Sequence, residues 1–267
     1  MGRMANNIDD IYLTMVKDLL HAPEVGDTRE LLDVKLVLTD ITKNIVSVRG
    51  ISPSYLCGEL LWYFSGMNSL EFISRFSKFW EHISDDGKTC NSGYGYLMQE
   101  RFGFNQIEEV VKMLKHDPNS RRAVINLNTP HPGVMITKDE PCTIALQFRI
   151  RKGNLDCTAM MRSNDIWFGT PYDIAFFTEL QKYIAQRLSV GYGWYTHFAT
   201  SLHMYKRDQE KLENVLDRAE SHPIEVDVKT LNEWKKTLVC ALDEHRDMDQ
   251  KKLIIDLFKK FEILKVG

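Results

Sequence analysis

Cys142 heads an alternating run, Thr143 to Arg151, and follows Asp139-Glu140-Pro141. Twenty residues on comes Met161-Arg162-Ser163-Asn164-Asp165, and then Gly169-Thr170-Pro171-Tyr172-Asp173-Ile174-Ala175. A thiol, an arginine beside hydroxyl and carboxylate groups, and a second acid on a Gly/Pro turn make a compact polar set in an apolar stretch. Such a set suits nucleophilic chemistry, because a guanidinium near a thiol favours the reactive thiolate. A lone cysteine is most often a small buried hydrophobe. The density of polar groups around Cys142 argues for a site instead. Glu59 is a second candidate: it stands in the apolar pattern Leu56 to Phe64, where burial raises a carboxyl pKa and suits it to proton relay.

The elements that must position these groups follow from periodicity. Ile8, Ile11, Tyr12, Met15 and Leu19 predict an amphipathic helix over Asp9 to His21. Glu30 to Thr42 alternates and predicts a strand. Pro53 opens a helix over Ser54 to Phe64, broken by Gly66-Met67-Asn68. Leu70 to Ile83 predicts another helix, Asp85 to Lys88 a turn, and Asn91 to Tyr96 a glycine-bearing loop. Gln106 to Lys115 predicts a helix and Arg121 to Asn128 a strand. Thr143 to Met161 predicts a hairpin turning at Lys152-Gly153-Asn154, and Pro171 to Leu188 a long central helix. From Gln209 onward the pattern is charged and helical. Helices and strands mix without regular βαβ alternation, which predicts an α+β fold in one domain over residues 1–267.

Composition narrows the function classes. With 267 residues and 43% hydrophobic content, the chain can bury a sizeable core. A net charge of −3 leaves no basic excess to follow a polymeric nucleic acid, so any phosphate is expected to be a single group held by a few arginines. Five cysteines without a CxxC pair argue against a disulfide framework or a zinc site. The polar, acidic Met1 to Asp10 does not read as a signal peptide, and no apolar run reaches membrane-spanning length. These features predict a cytoplasmic protein, in a host cytoplasm if viral, with no membrane partner and no metal.

A wider set of motifs carries a resemblance. Glu59-Leu60-Leu61-Trp62-Tyr63-Phe64, Tyr94-Gly95, Asp117 to Arg122, Pro141-Cys142, Gln147-Phe148, Arg162 to Asp165, Gly169 with Pro171, Ile174-Ala175, and His203 with Tyr205 stand in the order and spacing of thymidylate synthases. The resemblance covers roughly residues 10 to 210, and the tail, about 211–267, diverges. It implies a homodimer with a mixed β-sheet flanked by helices, 5,10-methylenetetrahydrofolate as cosubstrate, and a pyrimidine nucleoside monophosphate as substrate. It implies Cys142 as the covalent nucleophile, Arg162 as thiol activator and phosphate ligand, and Glu59 as proton relay. Arg121 and Arg122 match arginines that reach the partner's phosphate. Arg29 is the nearest match to a further phosphate ligand. Ser163 and Tyr94 fall among the substrate-binding motifs, and His203 with Tyr205 resembles the pair that binds the sugar 3′-hydroxyl. Asp165, Trp80 and Gly169 match the folate site.

The departures point within the family. Thr143 replaces the usual His, Met161 the usual Gln, Asp173 the usual Asn, and Ser201-Leu202 precede His203. These resemble the bacteriophage deoxycytidylate hydroxymethylases, which share the fold and act on cytosine. Asp173 makes chemical sense on its own terms. Uracil shows an N3–H donor and an O4 acceptor, which an amide matches. Cytosine shows an N3 acceptor and an N4 donor, which a carboxylate with a shared proton matches. The alternative role for Asp173 is a helix N-cap. Ile83 stands where a second Trp is usual, which would let water rather than hydride finish the reaction. The expected activity is conversion of deoxycytidine monophosphate to its 5-hydroxymethyl derivative. Open alternatives are a cytidine monophosphate hydroxymethylase, a C5-methylating cytidylate or thymidylate synthase, and a silent nucleotide- or RNA-binding member of the fold.

Overall fold

The computed structural model describes residues 2–129 and 136–221. In chain order the elements are β1 (Gly2–Ala5), α1 (Ile8–Leu20), β2 (Glu24–Val25), β3 (Thr28–Leu38), α2 (Pro53–Phe64), α3 (Leu70–Ile73), α4 (Phe79–Ile83) and α5 (Tyr94–Gln99). Then come α6 (Gln106–His116), β4 (Val124–Asn126), β5 (Thr143–Arg151), β6 (Asn154–Met161), β7 (Asn164–Asp165), α7 (Thr170–Leu188), β8 (Gly191–Tyr205) and α8 (Gln209–Ser221). The helical reading beyond residue 221, and Cys240 with it, lies outside the described residues. The described chain forms two compact units. One holds the sheet with α1, α6, α7 and α8. The other holds α2 to α5 with residues 136–141.

The sheet unit is α+β. Its described sheet runs β1-β3-β8-β6-β5-β4, with β2 paired to β3 and β7 to β8. It is mixed: β3 is antiparallel to β8, β8 parallel to β6, and β5 antiparallel to both β6 and β4. The β5–β6 hairpin turns on Lys152 (φ 51°) and Gly153 (φ 76°), the left-handed pair that a two-residue turn requires. Helices α1, α6 and α7 pack on the sheet. On α1 the buried stripe is Ile8, Ile11, Tyr12, Met15, Val16 and Leu19, and Asn7 caps the helix by accepting from the Asp9 N–H at 3.0 Å. Truncating one such residue to Ala is expected to cost about 2–5 kcal/mol. α7 is buried along most of its 19 residues. Gln181 Nε2 ties it to the sheet by donating to the Leu155 carbonyl at 2.8 Å and the Trp194 carbonyl at 3.2 Å.

The helical unit departs from expectation in two places. The predicted helix Leu70 to Ile83 is two short helices, α3 and α4. Between them Phe76 turns its ring onto Gly58 of α2, where a Cβ would collide with it, and the Ser77 hydroxyl accepts from the Phe79 N–H at 3.3 Å to restart the chain. The predicted loop over Asn91 to Tyr96 becomes helical from Tyr94, as α5. Gly95 is inside that helix because the Tyr63 carbonyl occupies the space of its missing Cβ. In the sheet unit, the strand expected over Arg121 to Asn128 is regular only at Val124–Asn126. Gln106 bonds both the N–H and the carbonyl of Asn126, standing in for a further strand at that edge.

Candidate active site

The antiparallel β5–β6 pairing ends with Thr143 opposite Met161. It continues one step, because the Arg162 N–H donates to the Cys142 carbonyl at 2.9 Å. The two residues therefore face each other at the open end of the hairpin, with Arg162 Nη2 3.8 Å from Cys142 Sγ. Cys142 is half-buried. Cys90 and Cys157 are buried, and burial pushes the Cys90 thiol up to about 12 and the Cys157 thiol upward as well. Among the cysteines whose side chains are described, Cys142 is the one placed for nucleophilic chemistry.

β7 continues from this point beside β8, with Asp165 opposite His203. Ser163 Oγ lies 3.5 Å from His203 Nδ1, and the His203 and Tyr205 rings meet edge to face at 5.4 Å. Ser163, His203 and Tyr205 are thus one cluster. Burial raises the Tyr205 hydroxyl pKa, reinforced by the nearby Asp165 charge. Asp165 bends the chain after β7 by accepting from the Trp167 N–H at 2.9 Å and the Phe168 N–H at 3.2 Å. Burial pushes its pKa up, against those bonds and the nearby His203. Burial pushes His203 down, against Asp165.

Asp173 lies in the first turn of α7, whose N-cap position is Gly169, so the capping role does not apply to it. Its Oδ2 accepts from Asn164 Nδ2 at 2.8 Å. Asn164 Oδ1 accepts from the Thr170 hydroxyl and lies 3.1 Å from His197 Nε2. His197 Nδ1 is 2.8 Å from the Tyr195 hydroxyl. Burial alone pushes the His197 imidazole down to about 3, so it is neutral. A Cβ on Gly169 would meet Asn164 Nδ2 and the Asp165 carbonyl at 3.0 Å, so the glycine makes room for this amide. Sequence reasoning missed the parts played by Asn164, Tyr195 and His197. The available signal was a histidine on the inward phase of an alternating strand.

The arginines fall elsewhere. Arg121 and Arg122 are exposed just before β4; the Arg121 carbonyl accepts from Gln147 Nε2 at 3.0 Å. Arg29 pairs with Glu24 at 3.0 Å and with the Ala22 carbonyl at 3.2 Å. Its register partner on β8 is Met204, on the alternate face from His203 and Tyr205. These three arginines thus stand on β3 and just before β4, outside the β5–β6 hairpin at whose open end Cys142 and Arg162 meet.

In the helical unit, Glu59 is buried on α2 and accepts from the Tyr55 hydroxyl at 2.7 Å and the Tyr63 hydroxyl at 3.4 Å. Burial lifts its carboxyl to about 7, against those two donors. Trp80 Nε1 donates to the Tyr55 hydroxyl at 3.2 Å, and Tyr94 stacks on Tyr63 at 5.2 Å. Glu59, Trp80 and Tyr94, far apart in sequence, therefore form one hydrogen-bonded and stacked group.

Beside Asp165, Trp167 is half-buried and Phe168 exposed. Arg49 lies 4.3 Å over the Trp167 ring and Lys211 5.5 Å from it. Arg49 Nε is buried without a hydrogen-bond partner among the described residues. Aromatic faces beside an acid and two cations fit a planar heterocycle bearing carboxylates. Among the described residues no group of three or more His, Cys, Asp or Glu is arranged to hold a metal, and no helix is long and apolar enough to cross a membrane.

Comparison with known proteins gives the family. The family model for thymidylate synthase matches residues 11–252. A deoxyuridylate hydroxymethyltransferase of Bacillus phage SP01 is 30% identical over 216 residues, covering 74% of this chain and 56% of its own. A protein of the same name from Pseudomonas phage M6 is 30% identical over 174 residues, covering 64% and 50%. A thymidylate synthase of Clostridium beijerinckii is 26% identical over 219 residues, covering 79% and 82%. The chain spans about half the length of the two phage relatives. With the family model covering most of its length, the chain belongs to the thymidylate synthase family.

Proposed function

We propose that the protein is a folate-dependent C5-hydroxymethyltransferase that converts deoxycytidine monophosphate to 5-hydroxymethyldeoxycytidine monophosphate. The observation that carries this reading is the Asp173 carboxylate, anchored by Asn164 in the same unit as the Cys142–Arg162 pair. A carboxylate accepts from the cytosine N4 amino group and shares a proton with N3, whereas it opposes the O4 lone pairs of uracil.

The chemistry follows from these groups. Cys142 Sγ adds to C6 of the pyrimidine, and the electrons displaced from the C5–C6 double bond make C5 nucleophilic. Arg162 favours the thiolate and, as a planar fork, suits a phosphate dianion. Arg121 and Arg122 serve the phosphate of a second copy in a homodimer. Ser163, Tyr94, His203 and Tyr205 orient base and sugar. Asp165, Trp80 and the Trp167 face hold the cosubstrate. 5,10-Methylenetetrahydrofolate supplies, when bound, the one-carbon unit that C5 takes up. Glu59, with a carboxyl near neutrality, takes the C5 proton through water. Loss of that proton would release tetrahydrofolate, as the amine leaving group, from the transferred carbon and leave an exocyclic methylene on C5. Water adds to that methylene, the electrons returned to C5 re-form the C5–C6 double bond as the Cys142 thiolate departs from C6, and the hydroxymethyl product is released. Ile83, smaller than Trp, leaves room for that water. The setting is cytoplasmic.

A second reading keeps this chemistry on deoxyuridine monophosphate. It is favoured by the activity for which the two phage relatives are named. One incubation separates the readings. Labelled deoxycytidine, deoxyuridine and cytidine monophosphates are each supplied with methylenetetrahydrofolate, and products are resolved by mass. A gain of CH2O on deoxycytidine monophosphate is the expected result. A gain of CH2 indicates methylation, and turnover of the uracil nucleotide alone overturns the cytosine assignment.

A further inference from the structure

We infer that Tyr195, His197 and Asn164 form a one-way chain of hydrogen-bond donors that fixes the Asp173 carboxylate as an acceptor, making the buried His197 a positioning residue for base preference. The inference rests on the reading of Asp173 as the base-recognising residue.

The direction of the chain follows from what each atom can do. Asp173 Oδ2 lies 2.8 Å from Asn164 Nδ2, and an ionised carboxylate only accepts, so the amide nitrogen must face it. That orientation turns Asn164 Oδ1 toward His197 Nε2 at 3.1 Å and toward the Thr170 hydroxyl. An amide oxygen only accepts, so His197 Nε2 must carry the proton. Its Nδ1 is then an acceptor, and the Tyr195 hydroxyl, 2.8 Å away, donates to it. Every proton in the chain points toward Asp173. His197 is 0% exposed and neutral, which removes the imidazolium form that would donate at both nitrogens.

The reverse arrangement has a defined cost. Flipping Asn164 would set its oxygen against Asp173 Oδ2, which is tolerable only if that oxygen is protonated. It would also require the other His197 tautomer and a reversed Tyr195 hydroxyl. The chain therefore holds Oδ2 in an accepting role, and a proton shared with a base nitrogen falls to Oδ1. Gly169 supports the same arrangement by leaving the Asn164 amide room to reach Asp173. A network whose members depend on one another in this way is fixed more tightly than any single bond in it.

Two measurements test the inference. Two-bond proton–nitrogen correlation on the full chain should show His197 as the neutral Nε2–H tautomer, unchanged between about pH 8 and about pH 5, where an ordinary imidazole titrates. An Nδ1–H tautomer, or titration in that window, overturns it. The second is the kcat/KM ratio for deoxycytidine over deoxyuridine monophosphate in wild type, His197→Leu and His197→Gln. Leu cannot donate; Gln places an N–H near the position of Nε2. The ratio should move toward unity by about tenfold or more in His197→Leu and recover most of that in His197→Gln, because a donor at Asn164 Oδ1 is restored. Equal loss of activity on both bases with an unchanged ratio refutes the positioning role. If His197→Leu does not fold, Tyr195→Phe, which keeps the ring, carries the test with a shift of about two- to fivefold, and an unchanged ratio there refutes the role equally. A wild type that prefers uracil overturns the cytosine assignment, while the change caused by His197 still decides the inference.

Discussion

Glu59→Gln gives the sharpest quantitative test of the helical unit. Burial lifts the Glu59 carboxyl from an ordinary 4.5 to about 7, with the Tyr55 and Tyr63 hydroxyls opposing the rise. The folded chain thus holds this proton more tightly than the unfolded chain does. The resulting stabilisation is complete below about pH 4.5 and is lost as pH rises through about 7. A rise of that size, at about 1.4 kcal/mol per unit, corresponds to about 3 kcal/mol. Glutamine keeps an oxygen for both tyrosines and has no charge to bury. The stability of wild type relative to Glu59→Gln should therefore fall by about 3 kcal/mol across that window and be level on either side. For a chain of this size the fall is about 6–12 °C in Tm. Thermal melts of both proteins at matched pH values measure it. The kcat/KM profile should rise with an apparent pKa near 7 in wild type, and that limb should vanish in the variant. Parallel melting curves would refute the claim that a buried carboxyl changes charge here.

Cys142→Ala should lower turnover by at least about a thousandfold while nucleotide affinity, measured by calorimetry, stays within a few-fold, since the thiol does the covalent work and binding comes from phosphate and base contacts. Asp173→Asn should shift the cytosine-to-uracil kcat/KM ratio toward uracil by roughly 10²–10³, because the amide donates to O4 and accepts from N3–H; an unchanged ratio removes the physical warrant for cytosine. Mixing Cys142→Ala chains with Arg121→Ala, Arg122→Ala chains should recover activity, as intact Cys142 sites receive intact arginines. No recovery despite demonstrated subunit exchange sinks the shared phosphate site. Gly95→Ala should lower stability by several kcal/mol in denaturant melts, since its Cβ has no room beside the Tyr63 carbonyl.

The chain announces its site most clearly where local order does the positioning. Lys152-Gly153 is a readable turn, and a hairpin about that turn brings Cys142 level with Arg162-Ser163; the register shift between Thr143 and Ala145 then sets it against Arg162. The α1 stripe and the start of α7 at Thr170-Pro171 are likewise written in local periodicity and turn chemistry. What stays hidden depends on partners remote in sequence. The strand Gly191–Tyr205 carries two glycines and many polar residues, so its alternation becomes visible only when β3 and β6 pair with its edges and α7 packs on the sheet. His197 was concealed for that reason. The helix at Tyr94–Gln99 was concealed by Gly95, which reads as a loop residue and instead serves the approach of α2. The break between α3 and α4 answers to Phe76 packing on Gly58, a contact no local pattern encodes.

The start of α7 links recognition to fold maintenance. The helix begins on a glycine that offers no capping side chain, and Asp173 is the acidic residue of its first turn. A negative charge there is worth about 0.3–1 kcal/mol against the partial positive end of the helix. The residue proposed to choose the base therefore also helps hold the helix on which it sits. A lineage exchanging this acid for an amide would change its nucleotide diet and weaken the helix in one step. Such an exchange is expected to travel with a compensating change nearby. Gly169 cannot easily provide it, since any capping side chain there would crowd the Asn164 amide. Evolutionary drift between cytosine and uracil users on this scaffold is thus steered by the tolerance of a single helix end.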